Sequence, residues 1–152
     1  MSYLAYNSPV GPLTLFEEDG RIIAVEWGWP PESDEPPAPV LERARDQLDA
    51  YFEGKLQAFD LPLDPMGTPF QKKVWQALAR IPFGATRSYG ELASELGTAP
   101  RALGGACGRN PIPILIPCHR VLAGDRSLGG YSGMDGTDTK RFLLRLEGVS
   151  DL

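Results

Sequence analysis

The segment SYGELASELGTAPRALGGACG, residues 88–108, decides the fold of this chain. Ser88 and Glu91 have the spacing of a capping box, in which both side chains bond backbone amides at the start of a helix. Gly97 ends that helix, and Thr98 can cap a second one that runs to the end of the segment. Two helices joined by a short glycine-containing turn are a helix-turn-helix.

The second of these helices has few side chains that could read base edges. It begins with Arg101 and continues with the very small residues Ala102, Gly104 and Gly105. A glycine inside a helix costs about 1 kcal/mol relative to alanine, and close approach of the backbone to another surface would offset that cost. This composition favours shape-dependent DNA binding with little sequence preference. The alternative is a small-residue helix that packs against a neighbouring helix.

Two further helices are predicted in this part of the chain. One begins at Thr68, which a proline follows, and has Phe70, Val74 and Leu78 on its buried face. The other lies near the C-terminus, where Thr137 can provide its cap and Phe142 and Leu146 form its buried face.

The earlier part of the chain has a different pattern. Residues 3–27 predict strands, with a turn at residues 18–20. A proline-rich loop, residues 30–39, separates them from a predicted helix over residues 40–53. Residues 60–66, rich in proline and aspartate, make a plausible domain boundary.

The fold class predicted from these patterns is α+β. A small N-terminal α/β domain with an antiparallel sheet, residues 1–65, precedes a mostly helical C-terminal domain, residues 66–152, that contains the helix-turn-helix. The first part carries four basic and thirteen acidic residues, a net −9, and the second eleven and seven, a net +4. Such asymmetry is typical of a polyanion-binding face, although an ordinary solvated surface would give the same count.

Composition also bounds the compartment and the cofactors. No stretch is long and apolar enough to span a membrane, and the first residues lack the pattern of a secretion signal. Two cysteines, Cys107 and Cys118, make a poor disulfide scaffold, so we expect a cytoplasmic protein. Two cysteines and one histidine form no zinc-type cluster, and no phosphate-binding glycine motif is present; we expect neither a metal nor a cofactor.

The segment NPIPILIPCHRV, residues 110–121, carries the candidate chemistry. Its prolines stiffen the approach to Cys118, and the only histidine of the chain, His119, follows at once. A thiol attacks as the thiolate, and a neighbouring histidine can act as the base. Adjacent residues of an extended strand face opposite sides, so contact between these two requires a turn or a bridging water. Glu147 is a candidate to orient the histidine; an inert cysteine and a structural histidine are the alternatives.

These motifs resemble the O6-alkylguanine-DNA alkyltransferases. The resemblance covers residues 68–148, whereas residues 1–65 match that family only in general layout. It rests on six blocks in one order: Tyr89–Ala93, Arg101–Ala106, Asn110–Pro111, Ile114–Val121, Tyr131–Gly133 and Leu143–Gly148.

The resemblance implies a role for each catalytic candidate. Cys118 would accept the alkyl group, His119 would draw its proton through a water, and Glu147 would hold the histidine. Asn110 would order the turn before the active-site segment. Tyr89 would assist rotation of the damaged nucleotide out of the duplex and donate a proton to guanine N3.

The resemblance also implies how DNA is bound. Arg101 would fill the gap in the base stack, while the adjoining Ala102, Gly104 and Gly105 approach the minor groove of double-stranded DNA. We expect a monomer with no membrane partner. The pocket for the flipped guanine would be lined by Val121, Tyr131, Ser132 and Gly133.

The implied activity is direct-reversal DNA repair by a single-turnover methyltransferase, which moves the alkyl group irreversibly onto Cys118. Two other functions fit parts of the pattern. A damage-binding protein of the same fold would lack the acceptor cysteine, so the presence of Cys118 argues against it. A transcription regulator with a sensor cysteine would bind a palindrome as a dimer, which the glycine-rich second helix disfavours.

Overall fold

The computed structural model describes residues 2–33, 35–125 and 136–150, and the chain divides into two compact units. The first unit spans Met1–Met66 and the second spans Gly67–Leu152. An antiparallel sheet occupies the first unit, and most of the helices lie in the second. The predicted α+β class is confirmed.

The sheet of the first unit contains three strands, β1 (Ser2–Ser8), β2 (Gly11–Glu18) and β3 (Arg21–Trp27). They are antiparallel and adjacent in chain order. Asp19 and Gly20 both have positive φ, 53° and 78°, as a tight two-residue hairpin requires. The predicted turn at this point is confirmed.

Helix α1 (Pro39–Phe52) packs on the sheet. The chain then returns to the free edge of β3, where the Ile22 amide donates to the Pro62 carbonyl (2.9 Å) and the Asp64 amide to the Ile22 carbonyl (2.8 Å). These bonds cover an edge that would otherwise offer unpaired backbone groups. The helix contributes to the core at helical spacing through Leu41, Ala44, Leu48 and Tyr51.

The second unit consists mainly of helices and one short parallel strand pair. Ser88 starts a helix with a complete capping box, as its sequence pattern predicts, and the helix predicted to begin at Thr68 has a capping box as well, formed with Gln71. The elements in chain order are α2 (Pro69–Ala79), β4 (Arg87–Ser88), α3 (Tyr89–Leu96), α4 (Pro100–Gly108), a 3-10 turn (Cys118–Arg120), β5 (Val121–Leu122) and α5 (Thr137–Leu146).

Two predicted helix caps are wrong. The residue that precedes α4 is Ala99, and no side chain caps it, so Thr98 plays no such part. Proline at the first position of α4 already has the φ that a helix needs and lacks an amide hydrogen to satisfy. Likewise α5 is preceded by Gly136, and Thr137 lies inside the helix.

The predicted buried face of α2 is confirmed at Val74 and Leu78, which are buried, but Phe70 is 37% exposed. In the predicted face of α5, Phe142 is 41% exposed. Helix α5 instead buries Leu143 and Leu144, while Leu146 is half-buried. Phe142 and Leu146 lie four positions apart, which fits a buried helix face, but tertiary packing turns the face with Leu143 and Leu144 inward.

Among the described residues, no helix is both long and apolar enough to cross a membrane. The longest, α1, has 14 residues. A membrane-spanning helix needs about 20 predominantly apolar residues.

Candidate active site

Asn110 braces the segment that leads to Cys118. Its Nδ2 donates to the Ile116 carbonyl (2.9 Å), and its Oδ1 accepts from the Ile112 amide (2.9 Å). Between these two points Ile114 has a φ of 73°, a strained conformation for a β-branched residue. Asn110 therefore holds both ends of a loop whose backbone would relax without support.

The active cysteine candidate lies on a 3-10 turn, Cys118–Arg120, which we call the Cys118 turn. The chain enters it through Pro117, with a ψ of 66°, and the Cys118 amide donates to the Ile116 carbonyl (2.8 Å). Because the chain leaves the extended conformation here, Cys118 and His119 are not forced to opposite faces of a strand. Cys118 is 5% exposed, and His119 is fully buried.

Glu147, at the end of α5, is the centre of a buried hydrogen-bond network. His119 Nε2 lies 2.7 Å from its Oε2. Arg120 donates from Nε to Oε1 (2.7 Å) and from Nη2 to Oε2 (3.0 Å). The remaining Arg120 nitrogen, Nη1, donates to the Ile81 carbonyl (2.6 Å). One carboxylate thus holds two consecutive side chains of the Cys118 turn.

These contacts define the state of His119. A carboxylate accepts hydrogen bonds, so Nε2 carries the proton that it shares with Glu147. Burial lowers the pKa of His119, and this outweighs the opposing effect of Glu147. Nδ1 has no hydrogen-bond partner among the described residues. The ring is a neutral imidazole that presents the lone pair of Nδ1.

Burial raises the pKa of the Cys118 thiol. A hydrogen bond from Asn110 and the positive charge of Lys140 both oppose the rise without cancelling it. Cys118 is therefore a thiol at rest, and its proton must be removed before the sulfur can attack.

Lys140 of α5 brings a buried positive charge to this site. Its Nζ donates to the Val121 carbonyl (2.7 Å) and lies 5.6 Å from the centroid of the Tyr89 ring. Burial lowers the pKa of Lys140 to about 8, and the charges of Cys118 and Cys107 oppose this shift. The amine remains largely protonated at neutral pH, where its charge favours ionisation of the thiol.

The strand pair β4–β5 positions Tyr89. Ser88, which caps α3, pairs with Leu122 just after the Cys118 turn. Tyr89 is the next residue, so the start of α3 lies beside that turn. Burial raises the pKa of Tyr89 to about 12, and the charges of Cys107 and Cys118 add to this shift. The phenol keeps its proton and can donate it.

Helix α4 presents its smallest residues to the exterior. Arg101, Ala102 and Gly105 are exposed, and Gly104 is half-buried. A Cβ atom added to Gly104 or Gly105 would meet nothing within 4 Å in the described part of the chain. Packing inside the described chain therefore gives no reason for these glycines, which disfavours the neighbouring-helix alternative.

The predicted site residues fall into three groups. Arg101, Ala102, Gly104 and Gly105 lie on α4, whereas Tyr131, Ser132 and Gly133 lie outside the described residues. The third group lies at the Cys118 turn and its surroundings, which bring together Tyr89, Asn110, Cys118, His119, Val121 and Glu147.

Within the described ranges no group of three or more His, Cys, Asp or Glu residues could hold a metal ion.

Sequence reasoning missed two residues of this site, Arg120 and Lys140. Arg120 stands inside the active-site motif but received no role of its own. Lys140 precedes Leu143 and Leu144 by three and four positions, so it shares a helix face with two buried leucines. A lysine on the apolar face of a helix was the available signal.

Comparison with known families matches both parts of the chain. Residues 69–149 match the DNA binding domain of 6-O-methylguanine DNA methyltransferase. Residues 1–65 match the ribonuclease-like domain of 6-O-methylguanine DNA methyltransferase. Together the two matches account for nearly the whole chain.

Individual relatives give the same result. The methylated-DNA–protein-cysteine methyltransferase of Methanosarcina acetivorans is 44% identical over 97% of this chain and 99% of its own. The constitutive protein of that name in Bacillus subtilis is 43% identical over 97% and 96%. Mycobacterium tuberculosis OGT, solved in complex with DNA, has a TM-score of 0.85 at 46% identity and covers 95% of this chain and 91% of its own. This chain belongs to the 6-O-methylguanine DNA methyltransferase family.

Proposed function

We propose that this protein removes the alkyl group from O6-alkylguanine in DNA and transfers it irreversibly to Cys118. The observation that carries the proposal is the Cys118 turn, where the thiol is followed by the only histidine of the chain, and that histidine bonds the buried carboxylate of Glu147. The relatives are named for a methyl transfer from DNA to a protein cysteine.

The reaction is a displacement at the alkyl carbon. His119 Nδ1 takes the proton of the Cys118 thiol through a bridging water. The sulfur then forms a bond to the carbon as the bond from carbon to guanine O6 breaks. Tyr89 donates its proton to guanine N3, which stabilises the departing base, and the proton held by His119 returns to Tyr89 through solvent.

The products explain why each molecule acts once. Guanine is restored, and the alkyl group remains on Cys118 as a thioether. No group in the mechanism reverses a carbon–sulfur bond of this kind. The protein is therefore consumed in a stoichiometric reaction.

DNA binding is assigned to residues 66–152, and residues 1–65 form a separate N-terminal α/β domain. Helices α3 and α4 act as a helix-turn-helix whose glycines let the backbone approach the minor groove. Arg101 fills the gap when the damaged nucleotide rotates out, a step that costs about a few kcal/mol. Val121, Tyr131, Ser132 and Gly133 line the pocket for the flipped base. The protein acts as a monomer in the cytoplasm.

Mass spectrometry after incubation with DNA that contains O6-methylguanine tests the proposal. We expect one added methyl group, located on Cys118. Cys118→Ala should bind DNA but accept no methyl group, whereas the matched control Cys107→Ala should be methylated normally. A folded wild-type protein that gains no methyl group, or a Cys118→Ala variant that still gains one, would refute the proposal.

Substitution of Arg101 tests the DNA-binding part separately. Arg101→Ala should lower the rate of transfer from duplex DNA and leave transfer from free O6-benzylguanine unchanged, because the free base needs no rotation out of a stack. Rates measured on both substrates give the comparison. Equal losses would remove Arg101 from the flipping step.

A further inference from the structure

Arg120 is buried in the site but has no part in the steps above. Its side chain is 7% exposed and donates three hydrogen bonds, two to Glu147 and one to the Ile81 carbonyl. One of the two carboxylate oxygens, Oε2, is shared between Arg120 Nη2 (3.0 Å) and His119 Nε2 (2.7 Å). Arg120 and His119 therefore compete for the same negative charge.

That competition has a chemical consequence for His119. A carboxylate alone beside an imidazole stabilises the protonated ring, as in the serine protease triad. A carboxylate paired with a guanidinium is locally neutral and offers an oriented acceptor instead of a net charge. A protonated His119 could not take the proton of Cys118. Pairing of Glu147 with Arg120 therefore keeps His119 neutral and able to act as the base.

We propose that Arg120 is a positioning residue for alkyl transfer: it neutralises Glu147, which then fixes the Nε2–H tautomer of His119 without protonating the ring. This inference rests on the proposed function in taking His119 as the base. The bond from Arg120 Nη1 to the Ile81 carbonyl (2.6 Å) holds the guanidinium in the plane that reaches both carboxylate oxygens.

Several ionisable groups surround His119. Glu147 and Lys140 face it from α5, while Cys118 and Arg120 flank it on its own turn. Burial lowers the pKa of His119, Glu147 raises it, and Arg120 and Lys140 lower it. Lys140 bonds the Val121 carbonyl, whereas Arg120 bonds Glu147 directly through Nε and Nη2.

The histidine ring can be observed directly because the chain has one histidine. Nitrogen NMR of the untagged protein should show a neutral ring with the proton on Nε2 down to below the ordinary histidine pKa of about 6.5. Arg120→Met should raise the pKa of His119 by about one unit or more, a tenfold change in the protonation equilibrium. The acid limb of transfer from O6-benzylguanine should move to higher pH by the same amount.

Two variants separate this role from simple structural support. Arg120→Lys keeps the charge and should restore the pH profile towards that of the wild type, even if its maximal rate is lower. Arg145→Met removes an exposed arginine two residues before Glu147 and should leave both the titration and the pH profile unchanged.

The outcomes decide the inference in each case. A protonated ring in the wild type near neutral pH overturns it, as does a folded Arg120→Met protein with an unchanged titration and pH profile. If Arg120→Met does not fold, the tautomer of the wild type and the pH profile of Arg120→Lys decide. The titration needs no alkyl transfer, so an inactive wild type would refute the proposed function and would be distinguished from a failure of the Arg120 assignment.

Discussion

Each unit of the described chain buries one glutamate, and the two carboxylates have different partners. Glu17 in the first unit accepts from the Ser2 amide (3.2 Å), the Ser2 hydroxyl (2.7 Å) and the Gly20 amide (3.1 Å). Glu147 in the second unit bonds the side chains of His119 and Arg120. Neutral donors surround the first carboxylate, and ionisable groups surround the second.

The same contrast holds for the other buried polar residues. The first unit buries Ser8 and Thr14 besides Glu17, whereas the described part of the second buries Asn110, His119, Arg120, Thr139, Lys140 and Glu147. Charged groups are costly to bury unless they are paired, so a concentration of them marks a place where chemistry, rather than stability, selects the residues. The second unit therefore carries the electrostatic cost of the site.

The largest effect on stability and on the transfer rate is expected from removal of the Glu147 charge. Glu147→Gln leaves the Arg120 guanidinium buried without its counterion, which should lower the free energy of unfolding by about 3–5 kcal/mol. The amide also places a donor against Arg120 or His119, so transfer from O6-benzylguanine should slow by about 10²–10⁴-fold. Urea unfolding and single-turnover rates measure the two effects. If Glu147→Gln has the stability and the transfer rate of the wild type, Glu147 does not have the role assigned to it here.

An intermediate effect is expected from the pH dependence of Lys140. Its pKa is about 8 in the folded protein and about 10.4 in an unfolded chain, so between these values the unfolded chain binds more protons. Stability from this group therefore rises with pH, by about 3 kcal/mol across the interval.

Comparison with Lys140→Met isolates this contribution. The unfolding free energy of the wild type minus that of the variant should increase from pH 8 to pH 10.4, roughly the interval between the two pKa values. Lys55→Met, an exposed lysine of the first unit, serves as the control and should give a flat difference. If the free energies of unfolding of wild type and Lys140→Met change in parallel with pH, the buried charge of Lys140 does not cause the predicted pH dependence.

The smallest effect is expected at Glu17. Glu17→Gln turns one acceptor oxygen into a donor facing neutral donors, which should cost about 1–3 kcal/mol near neutral pH and leave transfer unchanged. Hydrogen bonds from Ser2 and Gly20 lower the pKa of this carboxyl. The ionised Glu17 therefore contributes to the free energy of unfolding above the ordinary glutamate pKa of about 4.3, and this contribution is lost as the pH falls below that value. Urea unfolding at neutral and acidic pH measures this; a rate defect would contradict the assignment of Glu17 to structure alone.

Local patterns in the sequence predicted those features that depend on neighbouring residues. The helix start at Thr68, the capping box at Ser88 and the turn at Asp19 form because their partners lie within a few positions. The caps predicted at Thr98 and Thr137 failed for a related reason. Pro100, two residues after Thr98, and Gly136, directly before Thr137, already set the backbone, and neither helix start has a side-chain cap.

The exposed face of α5 shows where local patterns run out. Phe142 and Leu146 recur at helical spacing, and so do the buried Leu143 and Lys140. Periodicity allows either face to be inward, and the bond from Lys140 to the Val121 carbonyl belongs to the face that packs.

Composition and short-range spacing were enough to predict the α+β class, the histidine next to Cys118 and the helix of small residues. Tertiary structure alone decided that Glu147 is shared between His119 and Arg120, and that Lys140 lies beside Tyr89. These contacts join residues up to 51 positions apart in the chain. Their energies depend on burial, which no local pattern of residues records.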